Sequence, residues 1–179
     1  MNPRIKSNNL LNNALAMQEA LRHGADEALM RNQAGEIVEC SQSNFFVVKD
    51  GRLVTPPLTA DILESITRIT LLDHVIPDLG LEVVERDIAR TELYVADEAF
   101  FCGSGYEITP ILSVDRFPLG DGHVGAASQE VRLEVQRIAG QARGIDAGAQ
   151  HSGIEAAWLR LACQLHFHPL AGCHVLHGG

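Results

Sequence analysis

The chain has 179 residues, of which 46% are hydrophobic and 21% are charged, and its formal net charge is −9 at pH 7. This length and composition indicate a globular protein with one domain-sized core. The acidic balance without clustered Lys and Arg argues against nucleic-acid binding, and no apolar run approaches the roughly 18 residues of a membrane span. The N-terminus lacks a signal-peptide pattern and the four cysteines lack disulfide-framework spacing, so we expect a cytoplasmic protein with reduced thiols.

The first part of the chain predicts one helix and two hairpins. Apolar residues at helical spacing over 8–23, followed by Gly24, predict a helix packed on the domain core. Two strand–turn–strand units follow, and the second turns at Asp50–Gly51. Their strands are predicted over 27–30, 36–39, 45–48 and 52–55.

The later part predicts further helices and strands. Residues 59–61 are predicted to cap a helix from Ile62 to about Leu79, with an end or kink near Val75 because of Pro77. The remaining elements are a strand over 81–88, a helical turn over 90–95, strands over 98–102 and 108–114, and a helix over 128–138. Mixed strands with outer helices predict an α+β fold.

Candidate site chemistry is concentrated between Glu39 and Arg68. Glu39, at a strand end, could keep the nitrogen of a heteroaromatic ring protonated, which makes the ring an electron sink. The backbone N–H groups and hydroxyls of 65–67 could bind a phosphate at the positive end of a helix. Taken singly, a strand-end carboxylate and a helix-capping Thr are ordinary structural residues. Together they predict a site for a phosphorylated heteroaromatic cofactor.

Such a cofactor requires a lysine, and the chain has two, Lys6 and Lys49. Lys49 precedes the Asp50–Gly51 turn, which normally faces solvent. Lys6 is therefore the candidate for a Schiff base, although a lysine near a terminus is by itself most often a solvated surface charge.

Three segments resemble the signature of the class IV (fold type IV) pyridoxal 5′-phosphate (PLP) aminotransferases, which include branched-chain and D-amino acid aminotransferases and aminodeoxychorismate lyase. They are residues 39–46 (ECSQSNFF), 53–55 (LVT) and 63–68 (LESITR). Residues 4–11 (RIKSNNLL) resemble the family's catalytic-lysine segment, and residues 100–110 (FFCGSGYEITP) resemble its second phosphate loop. The likeness runs from about Arg4 to about Arg137 in the family's order and spacing.

The resemblance implies the large-domain pseudo-barrel of the D-amino acid aminotransferase-like PLP-dependent enzymes, truncated at the N-terminus. It assigns residues 1–140 to an incomplete PLP-binding large domain and leaves 141–179 unassigned. Met1 lies five residues before Lys6, whereas family members carry a smaller domain and the start of the large domain there. The chain is therefore expected to be a fragment, a natural truncation or a chain that needs a partner. The family also implies a homodimer.

The same resemblance implies the cofactor contacts. Lys6 would form the Schiff base and move the substrate α-proton as base and acid, and Glu39 would contact the pyridine nitrogen. The other implied cofactor-binding residues are Asn44 within the signature, Leu63 against the ring, Ser65, Ile66 and Thr67 at the phosphate, and Ser104 on the phosphate from the other side.

Four positions concern substrate and packing. Gly105 and Tyr106 align with the loop whose backbone amides help to fix the substrate carboxylate in the family. Ser65 stands where the family favours Gly, and its Cβ restricts the backbone angles there. Arg68 ends the signature, but an arginine on a helix surface is equally ordinary, so no contact is assigned to it.

The function implied is PLP-dependent transamination between an amino acid, with branched-chain L-amino acids favoured, and a 2-oxo acid. Tyr106 and Leu11 differ from several branched-chain enzymes, so D-amino acid transamination or aminodeoxychorismate elimination on the same fold stays an alternative. An inactive truncated domain is the third hypothesis.

The C-terminal segment matches nothing in the family. Its cysteines and histidines are Cys163, His166, His168, Cys173, His174 and His177. Their spacing fits no zinc motif, and the apolar residues among them favour a surface segment, so we predict no metal site.

Overall fold

The computed structural model describes residues 10–143 and 173–177. Lys6 and the predicted role of its segment lie outside the described residues, as do Cys163, His166 and His168. None of the described helices is long and apolar enough to cross a membrane.

A ten-stranded sheet forms the framework of the described chain. Its strands are β1 (Glu27–Arg31), β2 (Glu36–Cys40), β3 (Asn44–Lys49), β4 (Arg52–Thr55), β5 (Glu82–Glu85), β6 (Ile88–Ala89), β7 (Glu98–Gly103), β8 (Glu107–Val114), β9 (Phe117–Pro118) and β10 (Cys173–His177). They follow the order β5-β4-β3-β7-β8-β10-β1-β2-β6, with β9 on β8. The sheet curls, because β2 also pairs with β3 where Glu39 lies opposite Asn44. The α+β half-barrel prediction is confirmed.

Four α-helices and two 3-10 helices accompany the sheet. The α-helices are α1 (Leu11–Arg22), α2 (Ile66–Thr70), α3 (Ile76–Asp78) and α4 (Ala126–Arg143), and a π-helical turn, Leu71–Val75, joins α2 to α3. The 3-10 helices are Leu58–Ala60 and Arg90–Val95, the latter at the predicted helical turn.

The two faces of the strands pack into separate cores. Along β3 and β7 side chains alternate between the faces, so Phe45 and Phe101 fall in one core while Phe46 and Phe100 fall in the other. The Phe46 and Phe100 rings stack with centroids 5.0 Å apart. Residues of α4 and of the α2–α3 segment cover this second core. The start of α2 is thereby held against β3 and β7.

The helix predicted from Ile62 begins four residues later, at Ile66, with Ser65 as its N-cap. Residues 58–60 instead form a 3-10 turn, and Asp61 adopts a left-handed conformation with φ 67°. Leu63 stays outside the helix because its backbone N–H and carbonyl are both hydrogen-bonded to side chains of β2 and β3. Tertiary bonds therefore replaced the local capping signal of residues 59–61.

Pro77 has the effect expected of proline near a helix end. The π-helical turn over 71–75 precedes it, the helix continues only to Asp78, and Gly80 follows with φ +69°. The predicted irregularity near Val75 is the π-helical turn, which accommodates a residue that lacks a backbone donor.

The first helix lies where the periodicity predicts it, but its leucines are not buried. Ala20 is buried, whereas Leu11 and Leu15 are 67% and 57% exposed and Leu21 is also exposed. Helical periodicity identifies a helix with an apolar side, yet it does not say what that side contacts. The helix packs on β1 of the sheet, as predicted, but these leucines are largely exposed.

Two strand assignments also changed. The single strand predicted over 81–88 is split into β5 and β6, which pair with β4 and β2 respectively. Residues 173–177, which were left unassigned, form β10 between β1 and β8, parallel to both. Cys173, His174 and His177 therefore belong to a strand of the sheet.

Candidate functional site

Glu39 lies at the carboxyl end of β2, where the sheet curls. Its Oε2 accepts the backbone N–H of Leu63 at 3.0 Å and the side-chain amide of Asn44 at 3.4 Å. Burial raises the pKa of Glu39 to about 7, and the Leu63 N–H bond opposes that rise. Neither hydrogen bond uses Oε1. The carboxyl is thus fixed at one oxygen and suited to a cationic donor at the other.

Asn44 begins β3 and is buried. Its Nδ2 donates to the Leu63 carbonyl at 2.9 Å, and its Oδ1 accepts the Ser65 hydroxyl at 2.5 Å. Both ends of the carboxamide are therefore engaged within the protein. The side chain joins Glu39, Leu63 and Ser65 into one network.

Ser65 forms the N-cap of α2. Its Oγ accepts the backbone N–H of Arg68 at 3.1 Å, and its backbone angles are φ −104° and ψ 147°. These are extended values that any L-residue adopts, so a Cβ causes no strain at this position. The departure from the family's Gly is accommodated.

The helix start presents donors for an anion. The first N–H groups of an α-helix have no partner within the helix, which applies to Ile66 and Thr67 once Ser65 has taken the Arg68 N–H. Thr67 is 1% exposed, and its Oγ1 has no hydrogen-bond partner among the described residues. A buried hydroxyl without a partner is costly, so its position beside these amides supports a ligand there.

Arg68 is a structural residue that the sequence interpretation missed. It is 2% exposed, and its Nη2 donates to the Pro56 carbonyl at 2.8 Å and to Glu85 at 2.6 Å. The surface interpretation is therefore wrong, because the side chain ties α2 to the ends of β4 and β5. The sequence cue was its spacing from Leu71, an apolar residue three positions later and therefore on the same side of the helix, which is the buried side.

The second predicted loop adjoins this site through β7. Cys102 pairs with Asn44 across the β3–β7 ladder, and Ser104 and Gly105 follow in an exposed turn. Gly103 lies so close to Ser43 that an added Cβ would stand 3.4 Å from the Ser43 Cβ. The turn is therefore held beside the loop that links Glu39 to Asn44.

Tyr106 is occupied by contacts within its own turn and core. Its N–H donates to the Gly103 carbonyl at 3.2 Å, and its ring meets Phe101 edge-on with centroids 5.4 Å apart. Phe101 lies on the opposite face of β7 from Cys102. The substrate-binding role of Gly105 and Tyr106 stays a prediction.

Glu27 and Asn13 support the loop that carries Ser41 and were not identified from the sequence. The buried Glu27 Oε1 accepts the Ser41 hydroxyl at 2.5 Å and the Ser41 N–H at 3.2 Å. Asn13, on α1, donates to the Ser41 carbonyl at 2.7 Å. These bonds connect α1, the helix that follows the Lys6 segment, to the loop between Glu39 and Asn44.

Lys49 lies away from this network. It ends β3, five residues beyond Asn44, which corresponds to about 16 Å along a strand. Its Nζ pairs with Asp97 at 3.1 Å beside the hairpin turn. The geometry supports the exclusion of Lys49 as the cofactor lysine.

A model of the family described as amino-transferase class IV matches residues 1–114. The branched-chain-amino-acid aminotransferase of Pseudomonas aeruginosa is 44% identical over 130 residues, which are 72% of this chain and 42% of that protein. The chain spans about two fifths of the length of the curated relatives it matches, with 39% and 42% for two of them.

Solved structures give the same match. The branched-chain aminotransferase from Thermoproteus uzoniensis, solved with norvaline, has a TM-score of 0.74 and 43% identity, covering 77% of this chain and 46% of that one. The branched-chain amino acid aminotransferase from Thermobaculum terrenum, solved in its PLP form, has a TM-score of 0.74 and 38% identity, covering 93% of this chain and 50% of that one.

Proposed function

The chain belongs to the class IV aminotransferase family, and from this premise we propose that it binds PLP for transamination between a branched-chain L-amino acid and a 2-oxo acid. The observation that carries the proposal is the network of Glu39, Asn44, Leu63 and Ser65. Beside it lies the Thr67 hydroxyl, which has no hydrogen-bond partner within the described part of the chain. It provides a carboxyl for the ring and donors for the phosphate. Lys6 is proposed as the Schiff-base lysine.

The residues at the start of α2 fit the phosphate of PLP. The Ile66 and Thr67 N–H groups and the buried Thr67 Oγ1 would donate to its oxygens, at the positive end of 13 consecutive helical residues, 66–78. Ser104 would donate from the β7–β8 turn on the other side. A phosphate would satisfy the Thr67 hydroxyl, which is otherwise buried without a hydrogen-bond partner in residues 10–143 and 173–177.

Glu39 fits the ring nitrogen. In the PLP-free protein, burial holds its pKa near 7, so the carboxyl is ionised only in part at neutral pH. A pyridinium N–H at Oε1 would stabilise the carboxylate and lower that pKa. When bound, PLP supplies an electron sink, and Glu39 would keep the nitrogen protonated so that the sink is strong. Leu63 would rest against the ring.

Lys6 would hold the cofactor and then carry the substrate α-proton as base and acid. Support comes from elimination and position: Lys49 is paired with Asp97 at the far end of β3, and α1, which follows Lys6, is bound to the Glu39–Asn44 loop through Asn13. Gly105 and Tyr106 are proposed at the substrate carboxylate.

The test uses the full chain incubated with PLP and then desalted. We expect wild type and Lys49→Ala to keep a visible absorbance band of bound PLP, and Lys6→Ala to lose it. After borohydride reduction, peptide mapping should locate the adduct on Lys6. Lys49→Ala is the matched control because it removes the other lysine of the chain. No retained PLP in wild type, or an adduct on Lys49, would overturn the proposal.

The substrate class needs a separate measurement. Half-reactions of PLP-loaded protein with L-leucine, L-isoleucine and L-valine should convert the cofactor to its amine form, whereas D-alanine should not. Conversion by D-alanine alone would favour the D-amino acid alternative. We also propose a homodimer, which light scattering of the purified chain would measure as twice the chain mass of 19.4 kDa.

A further inference from the structure

Ser65 makes two hydrogen bonds with one hydroxyl. The hydroxyl donates to Asn44 Oδ1 at 2.5 Å and accepts the Arg68 N–H at 3.1 Å. The second bond caps α2, but the first reaches across to β3. A glycine, which the family favours at this position, has no atom that could make either bond.

The bond from Ser65 holds the oxygen end of the Asn44 carboxamide. With Oδ1 held by Ser65, Nδ2 faces the Leu63 carbonyl and Glu39 Oε2. Rotation of the carboxamide by half a turn would place Oδ1 against those two oxygens, and oxygen atoms repel one another where no proton lies between them. The Leu63 carbonyl and Glu39 Oε2 thus favour this orientation, and the Ser65 hydroxyl reinforces it by donating to Oδ1 at the other end of the carboxamide.

We propose that Ser65 is a positioning residue whose hydroxyl orients Asn44 and, through Asn44, holds the Glu39 carboxyl and the Leu63 backbone in place. Hydrogen bonds through Asn44 then connect the two ends of the candidate site, which are the start of α2 and the Glu39 carboxyl. The assignment of those ends to phosphate and ring nitrogen rests on the proposed function. The hydrogen-bond network itself belongs to the PLP-free protein.

Capping alone does not account for Ser65. Gly is almost as good an N-cap as Ser, and the extended backbone angles at Ser65 suit both residues. The start of α2 would therefore survive Ser65→Gly. What Ser65→Gly removes is the donor to Asn44.

The experiment compares wild type with Ser65→Gly, Ser65→Thr and Thr70→Val as PLP-free full chains. Thr70 is the matched control, because it is a buried hydroxyl of the same helix that bonds only to the Ile66 carbonyl four residues earlier. One readout is the solvent exchange rate of the Asn44 side-chain amide protons, followed by NMR. The other is the pH midpoint of the Glu39 carboxyl carbon resonance.

In Ser65→Gly we expect Asn44 amide exchange to be about fivefold faster, the change that loss of one ordinary hydrogen bond gives. The Glu39 midpoint should rise, because an unfixed Asn44 donates to the carboxylate less often. Ser65→Thr should restore both readouts, and Thr70→Val should leave them at the wild-type values. Unchanged exchange and midpoint in Ser65→Gly would overturn the proposal and leave Ser65 as a helix cap only.

PLP binding then separates this inference from the proposed function. If both hold, Ser65→Gly retains PLP with about fivefold lower affinity and Ser65→Thr restores it. If wild type binds no PLP while the Asn44 and Glu39 readouts still respond to Ser65→Gly, the positioning role stands and the proposed function fails.

Discussion

Glu39 and Leu63 are joined by a 3.0 Å hydrogen bond from the Leu63 N–H to Glu39 Oε2, which links the end of β2 to the segment before α2. Burial nonetheless raises the pKa of Glu39 from 4.5 to about 7. Ionisation of this carboxyl therefore costs more in the folded chain than in the unfolded chain. This side chain therefore contributes a pH dependence to the stability of the PLP-free protein.

The sign of that dependence is a first prediction. The contribution of Glu39 to stability is fully present below about pH 4.5 and declines as the pH rises to about 7, because the carboxyl must ionise in a buried place. Glu39→Gln removes that decline while Gln can still accept the Leu63 N–H. As the pH rises from 4.5 to 7, we expect the free energy of unfolding of Glu39→Gln to increase relative to that of wild type by up to about 3 kcal/mol.

Urea denaturation of PLP-free protein at pH 4.5 and pH 8 measures this difference. Glu130→Gln, an exposed glutamate of α4, is the control and should follow the wild-type profile. If the free energy of unfolding changed by the same amount between the two pH values in wild type and Glu39→Gln, the raised pKa of Glu39 would be contradicted.

Thr67→Val gives a second prediction. Valine has the shape of threonine without the hydroxyl, which is buried and has no partner among the residues that the structure describes. The PLP-free protein should therefore keep or slightly gain stability. PLP affinity should fall by about tenfold, since a hydrogen bond to a charged phosphate is lost. Equilibrium PLP titration checks this, with Thr70→Val as control. Unchanged affinity would remove Thr67 from the phosphate site.

Arg68→Met gives a third prediction. The buried guanidinium holds the Pro56 carbonyl and Glu85, so its loss should lower the free energy of unfolding by about 2 kcal/mol. Arg52→Met removes the ion pair with Glu82, in which both side chains are exposed, and should cost less than about 1 kcal/mol. Denaturant unfolding of both variants decides. Equal losses would show that burial of Arg68 adds nothing.

Val175→Pro is the fourth prediction and tests β10. Val175 pairs with Glu27 of β1 and Val114 of β8, so a proline there removes a donor inside the sheet and should cost about 3 kcal/mol. Val175→Thr keeps the donor and the β-branched shape and serves as the control. Thermal unfolding that is the same for all three proteins would mean that β10 contributes nothing to stability.

Much of the local structure could be predicted from the sequence. The Asp50–Gly51 turn fixed both strands of its hairpin, since both residues take positive φ as that turn requires. The end of α1 before Gly24 followed from the same preference. These features depend on a few neighbouring residues, and so they are readable without tertiary contacts.

The start of α2 and the burial of Arg68 could not be predicted in this way. Both depend on partners far along the chain: Glu39 and Asn44 bind the Leu63 backbone and keep it outside the helix, and Glu85 accepts a hydrogen bond from the Arg68 guanidinium. The exposure of the α1 leucines and the insertion of β10 between β1 and β8 also depend on residues that are distant in the sequence. Periodicity identifies an apolar side or a strand-forming segment, but the partner is chosen by the whole fold.

The sequence by itself determined the family of this protein and indicated the candidate residues Lys6, Glu39 and Thr67, because residue types at fixed spacing carry that information. Only the tertiary structure decided which residues surround Glu39 and Thr67. Closure of β2 on β3 places Glu39 beside Asn44, and the start of α2 brings Ser65 to the same carboxamide. Hydrogen bonds between such distant residues form only when the sheet has curled, which no local pattern specifies.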